Sequence, residues 1–254
     1  MAPFTAQQYI ELFHLLFLDQ LGRKADKKVI VLKGGCNLRF FFKSIRYSED
    51  MDFDLSNIPV HVFREQVNAI FKSQPFSQIL ESRKIRLEHI TEAKQTDTTQ
   101  RWKIGLITPA CPLPLPTKIE FSRRCRKEDG VLASIVPDII RAYELTPILC
   151  RHYIAESAFR QKFAALIGRK APQARDIFDL HLLLQWLPRR KPKTPTNKTQ
   201  IASAQNRALA IDFESFKSQV IPFLPVDSQQ RYSSAEVWDT IVMEVVEALE
   251  GLAQ

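Results

Sequence analysis

Two acidic residues separated by one position, Asp50 and Asp52, lie in the run Glu49-Asp50-Met51-Asp52-Phe53-Asp54-Leu55, which alternates acid and apolar from Asp50 onward. Such alternation predicts a β-strand with one acidic face, because residues i and i+2 of a strand point the same way. Two carboxylates held side by side repel, and they keep their charge poorly unless a cation sits between them. Mg²⁺ is the natural cation, a hard ion held by one or two carboxylates plus the phosphates of a substrate. Upstream, Val29-Ile30-Val31-Leu32 is a short, β-branched apolar run closed by Lys33-Gly34-Gly35. It predicts a buried strand, a diglycine turn and then a helix over Cys36–Ser44. Two residues without Cβ let the backbone approach a ligand closely, and the free N–H groups opening a helix favour an anion such as a triphosphate. Singly, a diglycine is an ordinary turn and an acidic strand an ordinary solvated edge. In this order and spacing they make a phosphate cradle beside a metal pair, the parts of a nucleoside triphosphate site.

The elements that must hold these residues can be traced along the chain. Tyr9–Leu21 predicts an amphipathic helix, with Thr5 and Gln8 spaced as a capping box at its start. Glu11, His14 and Asp19 interrupt its apolar run and no Lys or Arg precedes it, unlike a signal sequence. Val60–Lys72 has helical spacing of Val60, Phe63, Val67 and Ile70. Ile85–Ile90, Trp102–Thr108 and Lys118–Ser122 are further strands, the last two joined by Pro109–Pro116, whose prolines exclude a helix. Strands arriving in succession predict antiparallel neighbours in a mixed sheet. Beyond about Gly130 the pattern turns helical, over Ala155–Gly168, Ala174–Leu187, Phe213–Val220 and Ala235–Leu252. Pro188–Asn206 carries Arg189, Arg190, Lys191, Lys193 and Lys198 and is expected to be a mobile basic loop. The fold class is therefore α/β (α+β): a mixed-sheet core over residues 1–130, then an α-helical domain over 131–254.

Composition narrows the function classes. The chain has 254 residues, 45% of them hydrophobic and 25% charged, so it is long enough for a real core and is not broadly disordered. No stretch of about 18 apolar residues is free of charge, so no membrane span is expected. Cys36, Cys111, Cys125 and Cys150 form no C-x-x-C pair, which leaves neither a zinc knuckle nor a disulfide framework and makes the reducing cytoplasm the expected compartment. The net charge of +8, from 36 basic and 28 acidic residues, raises the local concentration of polyanions such as nucleotides and RNA. Trp102, flanked by Arg101 and Lys103, could stack on a base or serve as a strand aromatic. His61, His89, His152 and His181 have no metal-ligand spacing.

Strand, Gly-Gly, short helix and a strand bearing D-x-D resembles the nucleotidyltransferase superfamily related to DNA polymerase β. The fuller string Lys33-Gly34-Gly35-x-x-Leu38 … Arg46-x-Ser48-Glu49-Asp50-x-Asp52-Phe53 looks like one branch of it, the AbiEii/AbiGii toxin family. Lys162-Phe163-Ala164-Ala165-Leu166, followed by Arg169, and Arg175-Asp176-Ile177-Phe178-Asp179-Leu180 resemble two later helices of that family. The resemblance implies that Gly34, Gly35 and the Ser48 hydroxyl lie against the triphosphate. It implies that Asp50 and Asp52 hold Mg²⁺, with Glu120 as the third carboxylate. Lys162 would contact phosphates, and Asp176, with Asp179, would complete the site from the helical domain. Without the resemblance, Lys162 reads as a solvent-facing helical lysine, and Arg175 and Asp179 as an ordinary i,i+4 pair. Two positions depart from the family: Cys36 stands where Ser or Thr is usual, and a thiol is a poorer donor to phosphate; Glu120 stands where Asp is commoner. The implied activity is Mg²⁺-dependent transfer of a nucleoside monophosphate from an NTP to a hydroxyl, with the 3′ end of tRNA as acceptor and a cognate antitoxin as partner. A nucleotide- or RNA-binding module without turnover is the other function class these residues allow.

Overall fold

The computed structural model describes residues 3–123, 130–187 and 198–251, which form two compact units. The first comprises Met1–Lys43 and Tyr47–Tyr153, the second Ser44–Arg46 and Ile154–Gln254. Cys125 and most of the expected basic loop, Arg189 to Lys193 included, lie outside the described residues.

The first unit is built on a seven-stranded mixed sheet. Its strands are β1 (Ile30–Lys33), β2 (Asp50–Leu55), β3 (Arg86–Gln95), β4 (Thr99–Thr108), β5 (Cys111–Ser122), β6 (Gly130–Ser134) and β7 (Leu149–Tyr153), in the order β3-β4-β5-β2-β1-β7-β6. β2 runs antiparallel to β1 and parallel to β5, while β1 and β7 are parallel. Among the described residues the helices of this unit are α1 (Ala6–Lys24), α2 (Gly34–Phe41), α3 (Val60–Phe71), α4 (Gln74–Ser82) and α5 (Pro137–Ala142). The sheet continues to Tyr153, so the units divide there rather than near residue 130; β6 and β7 extend it beside β1.

The expected capping box is present: Thr5 accepts from the Gln8 backbone N–H, and the Gln8 side chain accepts from the Thr5 N–H. The helix it opens is not amphipathic. Tyr9 through Leu18 are all buried, because α1 packs on α3, α4, β4, β5 and β7. Its two polar core residues find partners, Glu11 with Arg39 at 2.9 Å and His14 Nε2 with Thr117 Oγ1 at 2.8 Å. β5 corrects the expectation for Pro109–Pro116. Pro112, Pro114 and Pro116 stand within the strand, where Pro116 pairs with Gly105. The pairing with β4 slips in register between Leu106 and Thr108, opposite the stretch that holds Pro112 and Pro114. β2 pairs with β5 only from Lys118 onward, beyond all three prolines, so none of them interrupts that ladder.

The second unit is helical: α6 (Ala155–Gly168), α7 (Ala174–Leu184), α8 (Lys198–Leu209), α9 (Phe213–Gln219), α10 (Val226–Gln229) and α11 (Ala235–Gly251). Lys198–Leu209 is thus a helix where a loop was expected, buried through Ile201, Ala204 and Ala208. The core of the unit includes Trp238, stacked on Phe216 at 4.5 Å between ring centroids, with its Nε1–H donating to the Ile211 carbonyl. No helix among the described residues is long and apolar enough to cross a membrane.

Candidate active site

β2 has the two faces its sequence predicts. Met51, Phe53 and Leu55 are buried in the core, with Phe53 stacked on Phe121 of β5 at 4.8 Å. Asp50, Asp52 and Asp54 share the opposite face. Register extends that face across the sheet. Lys33 of β1 lies opposite Asp52, Asp52 opposite Glu120 of β5, and Glu120 opposite Arg101 of β4. One row therefore reads basic, acidic, acidic, basic over four strands. In the neighbouring row Asp50 faces Lys118.

The diglycine turn meets this row. Gly34 opens α2 with φ +69°, a left-handed conformation that side-chain-bearing residues resist. A Cβ on Gly34 would stand 3.1 Å from Asp52 Oδ2, so the carboxylate lies directly against the turn. The two segments singled out by their sequence are in contact. Gly34→Ala is expected to cost about 1–2 kcal/mol through the positive φ. It would also push the Asp52 carboxylate aside, so transfer should fall more than thermal stability does; equal losses in rate and melting temperature would refute the contact.

Electrostatics on the face are unbalanced. Burial raises the Asp52 carboxyl above its usual range; Lys118 opposes the rise, and the charges of Asp50 and Glu120 add to it. Lys118 Nζ is 3.0 Å from Asp50, and Arg101 Nε is 2.7 Å from Glu120. Lys33 reaches past Asp52 to Asp54 at 2.5 Å, and Asp54 also accepts from the Tyr153 hydroxyl at 2.8 Å. The donor set fits a hard divalent cation: paired carboxylates on one strand, a third beside them, and a mutual repulsion that such an ion would relieve. Among the described residues no three His, Cys, Asp or Glu side chains are already gathered into a cage. Asp50 and Glu120 are drawn to their basic neighbours instead.

Ser48 and Cys36 meet at one backbone carbonyl. The Ser48 hydroxyl donates to the Asp50 carbonyl at 2.8 Å. Cys36 is 1% exposed and turned into the core, its thiol 3.3 Å from the same carbonyl and 3.6 Å from His14 Nδ1. The exchange of Ser or Thr for Cys therefore suits a buried position. Trp102 is fully buried, with Nε1 donating to Asn68 at 2.9 Å, so it is a core aromatic and not a stacking platform for a base.

Lys162, Asp176 and Asp179 belong to the second unit. Lys162 is nearly buried and lies 3.2 Å from Asp176 and 2.6 Å from Asp179. Both aspartates are fully buried. Asp176, in the first turn of α7, also accepts from Arg169 Nε at 2.8 Å. Asp179 is gripped by Arg46, through Nη2 at 2.9 Å and Nε at 3.2 Å. Burial alone would raise the Asp179 carboxyl, but the charges of Arg46 and Lys162 overcome it and hold the group below the usual carboxylate range. Arg175 is not the partner of Asp179; its Nε donates to Gln173. Sequence reasoning gave no role to Lys118, Lys33, Asp54, Arg46 or His14. Lys118 and Asp54 carried a signal, since each stands two residues from a named carboxylate and so shares its face.

Burial pushes the His14 imidazole down to about 3 and that of His152 to about 4. Both rings are neutral when folded and gain protons on unfolding below about pH 6.5. The unfolded chain then binds more protons, so stability falls as pH drops. His14 alone is expected to remove about 2 kcal/mol between pH 7.5 and pH 5, read from denaturant midpoints. His14→Gln should flatten that slope, and an unchanged slope would refute the assignment.

The fold has solved relatives. JHP933 from Helicobacter pylori superposes with a TM-score of 0.58 at 18% identity, covering 96% of this chain and 94% of that one. MenT4, a nucleotidyltransferase toxin from Mycobacterium tuberculosis, superposes with a TM-score of 0.60 at 14% identity, covering 98% and 94%. No curated protein matches the sequence. Residues 16–236 match the family described as "Nucleotidyl transferase AbiEii toxin, Type IV TA system", a span that holds every site residue predicted from the sequence, and the chain belongs to that family of nucleotidyltransferase toxins.

Proposed function

We propose that the protein transfers a nucleoside monophosphate from an NTP to the 3′ end of tRNA, with Mg²⁺ held by Asp50 and Asp52. The observation that carries this reading is the contact of the Asp52 carboxylate with Gly34, which sets the acidic face against the phosphate-binding turn. Bound Mg²⁺ would neutralise phosphate charge and ease loss of the acceptor proton. The chain's own residues have mainly to orient and to balance charge, since phosphoryl-type transfer asks little covalent chemistry of a protein. Gly34 and Gly35 leave the α2 amides open to the triphosphate. Lys118 and Arg101 hold Asp50 and Glu120 until a cation arrives, with Glu120 as the third carboxylate. The resemblance of its helix assigns Lys162 a phosphate contact, with Asp176 and Asp179 orienting its ammonium. The +8 charge and the basic run Arg189–Lys198 suit an RNA acceptor, whose phosphates supply most sequence-independent affinity. The free thiols of Cys36, Cys111 and Cys150 agree with a cytoplasmic site of action beside a cognate antitoxin.

The test is incubation with Mg²⁺, labelled NTPs and total tRNA. Label should enter tRNA and fail to enter it with Asp50→Ala or Lys162→Ala. A folded wild type that binds NTP but transfers nothing to RNA, protein or small acceptors would instead be a binding module.

A further inference from the structure

Behind the acidic face, buried side chains with no part in the reaction above converge on two consecutive carbonyls. Thr117 Oγ1 donates to the Glu49 carbonyl at 2.7 Å. Its single proton is thereby engaged, so the 2.8 Å contact with His14 must run from the ring Nε2–H to the hydroxyl. This fixes the tautomer: Nδ1 carries no proton and faces Cys36 Sγ at 3.6 Å. The thiol has one proton, and of its two acceptors the Asp50 carbonyl is the nearer, at 3.3 Å; that carbonyl also accepts from Ser48. His14, Cys36 and Thr117 come from α1, α2 and β5 and are each under 5% exposed.

The place where they converge matters. β2 pairs with β1 only from Asp52, opposite Lys33, so Asp50 and Glu49 lie beyond the end of that ladder. On the other side pairing with β5 starts at Asp50 opposite Lys118. The strand that carries the paired carboxylates is thus held from one side only where Asp50 stands, and side chains grip the carbonyls there instead.

We propose that His14, Cys36 and Thr117 are positioning residues that clamp the Glu49 and Asp50 carbonyls and so set the aim of the Asp50 and Asp52 carboxylates. The inference rests on the transferase reading of that face. Groups that orient metal-binding side chains without touching the metal matter by about 10–100-fold in metal affinity or rate.

Thr117→Val keeps the shape and removes both the proton given to Glu49 and the acceptor for His14; Thr117→Ser keeps both. Full-length protein is titrated with Mn²⁺, followed by its electron spin resonance, and kcat and KM are measured for labelled transfer to tRNA. Thr117→Val is expected to weaken Mn²⁺ binding about tenfold and lower kcat about 10–100-fold, with KM for NTP nearly unchanged. Thr117→Ser should restore both. Cys36→Ala, which removes only the thiol donor, should shift both in the same direction, and it carries the test if Thr117→Val does not fold. A folded Thr117→Val with wild-type Mn²⁺ affinity and kcat overturns the clamp, as does a loss that Thr117→Ser fails to restore. If the wild type binds no Mn²⁺ and transfers nothing, the transferase reading itself falls and the clamp with it.

Discussion

Asp52→Asn is expected to abolish nucleotidyl transfer while leaving the protein as stable as before, or more so. The carboxyl of Asp52 is raised in the folded chain, first by burial and then by Asp50 and Glu120, against the pull of Lys118 and Lys33. A folded-state pKa above the unfolded one means that the folded chain holds this proton more tightly. At neutral pH the ionised group therefore opposes folding, and a neutral side chain of the same shape removes that opposition. Activity should move the other way. A metal pair contributes several kcal/mol of charge stabilisation in a transfer of this kind, so the rate should drop about 10³-fold or more. Labelled transfer and a thermal melt on one preparation read both. A melting temperature that collapses along with activity would show that Asp52 serves the fold through its basic neighbours.

The second large effect lies in the helical unit. Asp179 is fully buried and receives Arg46 and Lys162 at once. Removing one partner of a buried ion pair typically costs about 3–5 kcal/mol, because the remaining charge has lost its compensation. Asp179→Ala takes a buried carboxylate from both cations, although Lys162 keeps Asp176, and should fall within that range, seen as a large fall in denaturant midpoint. Arg175→Ala is the control. Its side chain is half-exposed and bonds only its neighbour Gln173 among the contacts described, so the change should stay within about 1 kcal/mol. If the two variants lose similar stability, the Arg46–Asp179–Lys162 cluster does not hold the unit together.

The contrast between these two sites shows what the sequence could convey. The acidic face was legible because a strand has a period of two and the contrast between Asp50, Asp52, Asp54 and Met51, Phe53, Leu55 is sharp. The diglycine was legible as a turn, but not that Gly34 and Gly35 are themselves the first turn of α2. Helix boundaries at Ala155–Gly168 and Ala235–Gly251 followed from long periodic runs. Gly130–Ser134 and Leu149–Tyr153 are five-residue strands with weak alternation, made strands by pairing with each other and with β1. Gln74–Ser82 escaped notice because Pro75 reads as a breaker, although proline fits the first turn of a helix. Lys162 looked solvent-facing because its burial depends on Asp176 and Asp179 of the next helix, partners that local pattern cannot supply. The role of His14 was hidden in the same way, since Thr117 comes from a strand far along the chain.

The outer half of β5 carries a consequence for how the molecule behaves in a crowded cell. Leu113, 70% exposed, lies there between Pro112 and Pro114, with Pro116 following. An exposed apolar strand border invites a strand from another chain to zip alongside it and start a fibre. Here Pro112, Pro114 and Pro116 have no N–H to give to such a zipper, so Leu113 can stay in water without seeding polymers, and replacing those prolines by alanine would remove that safeguard.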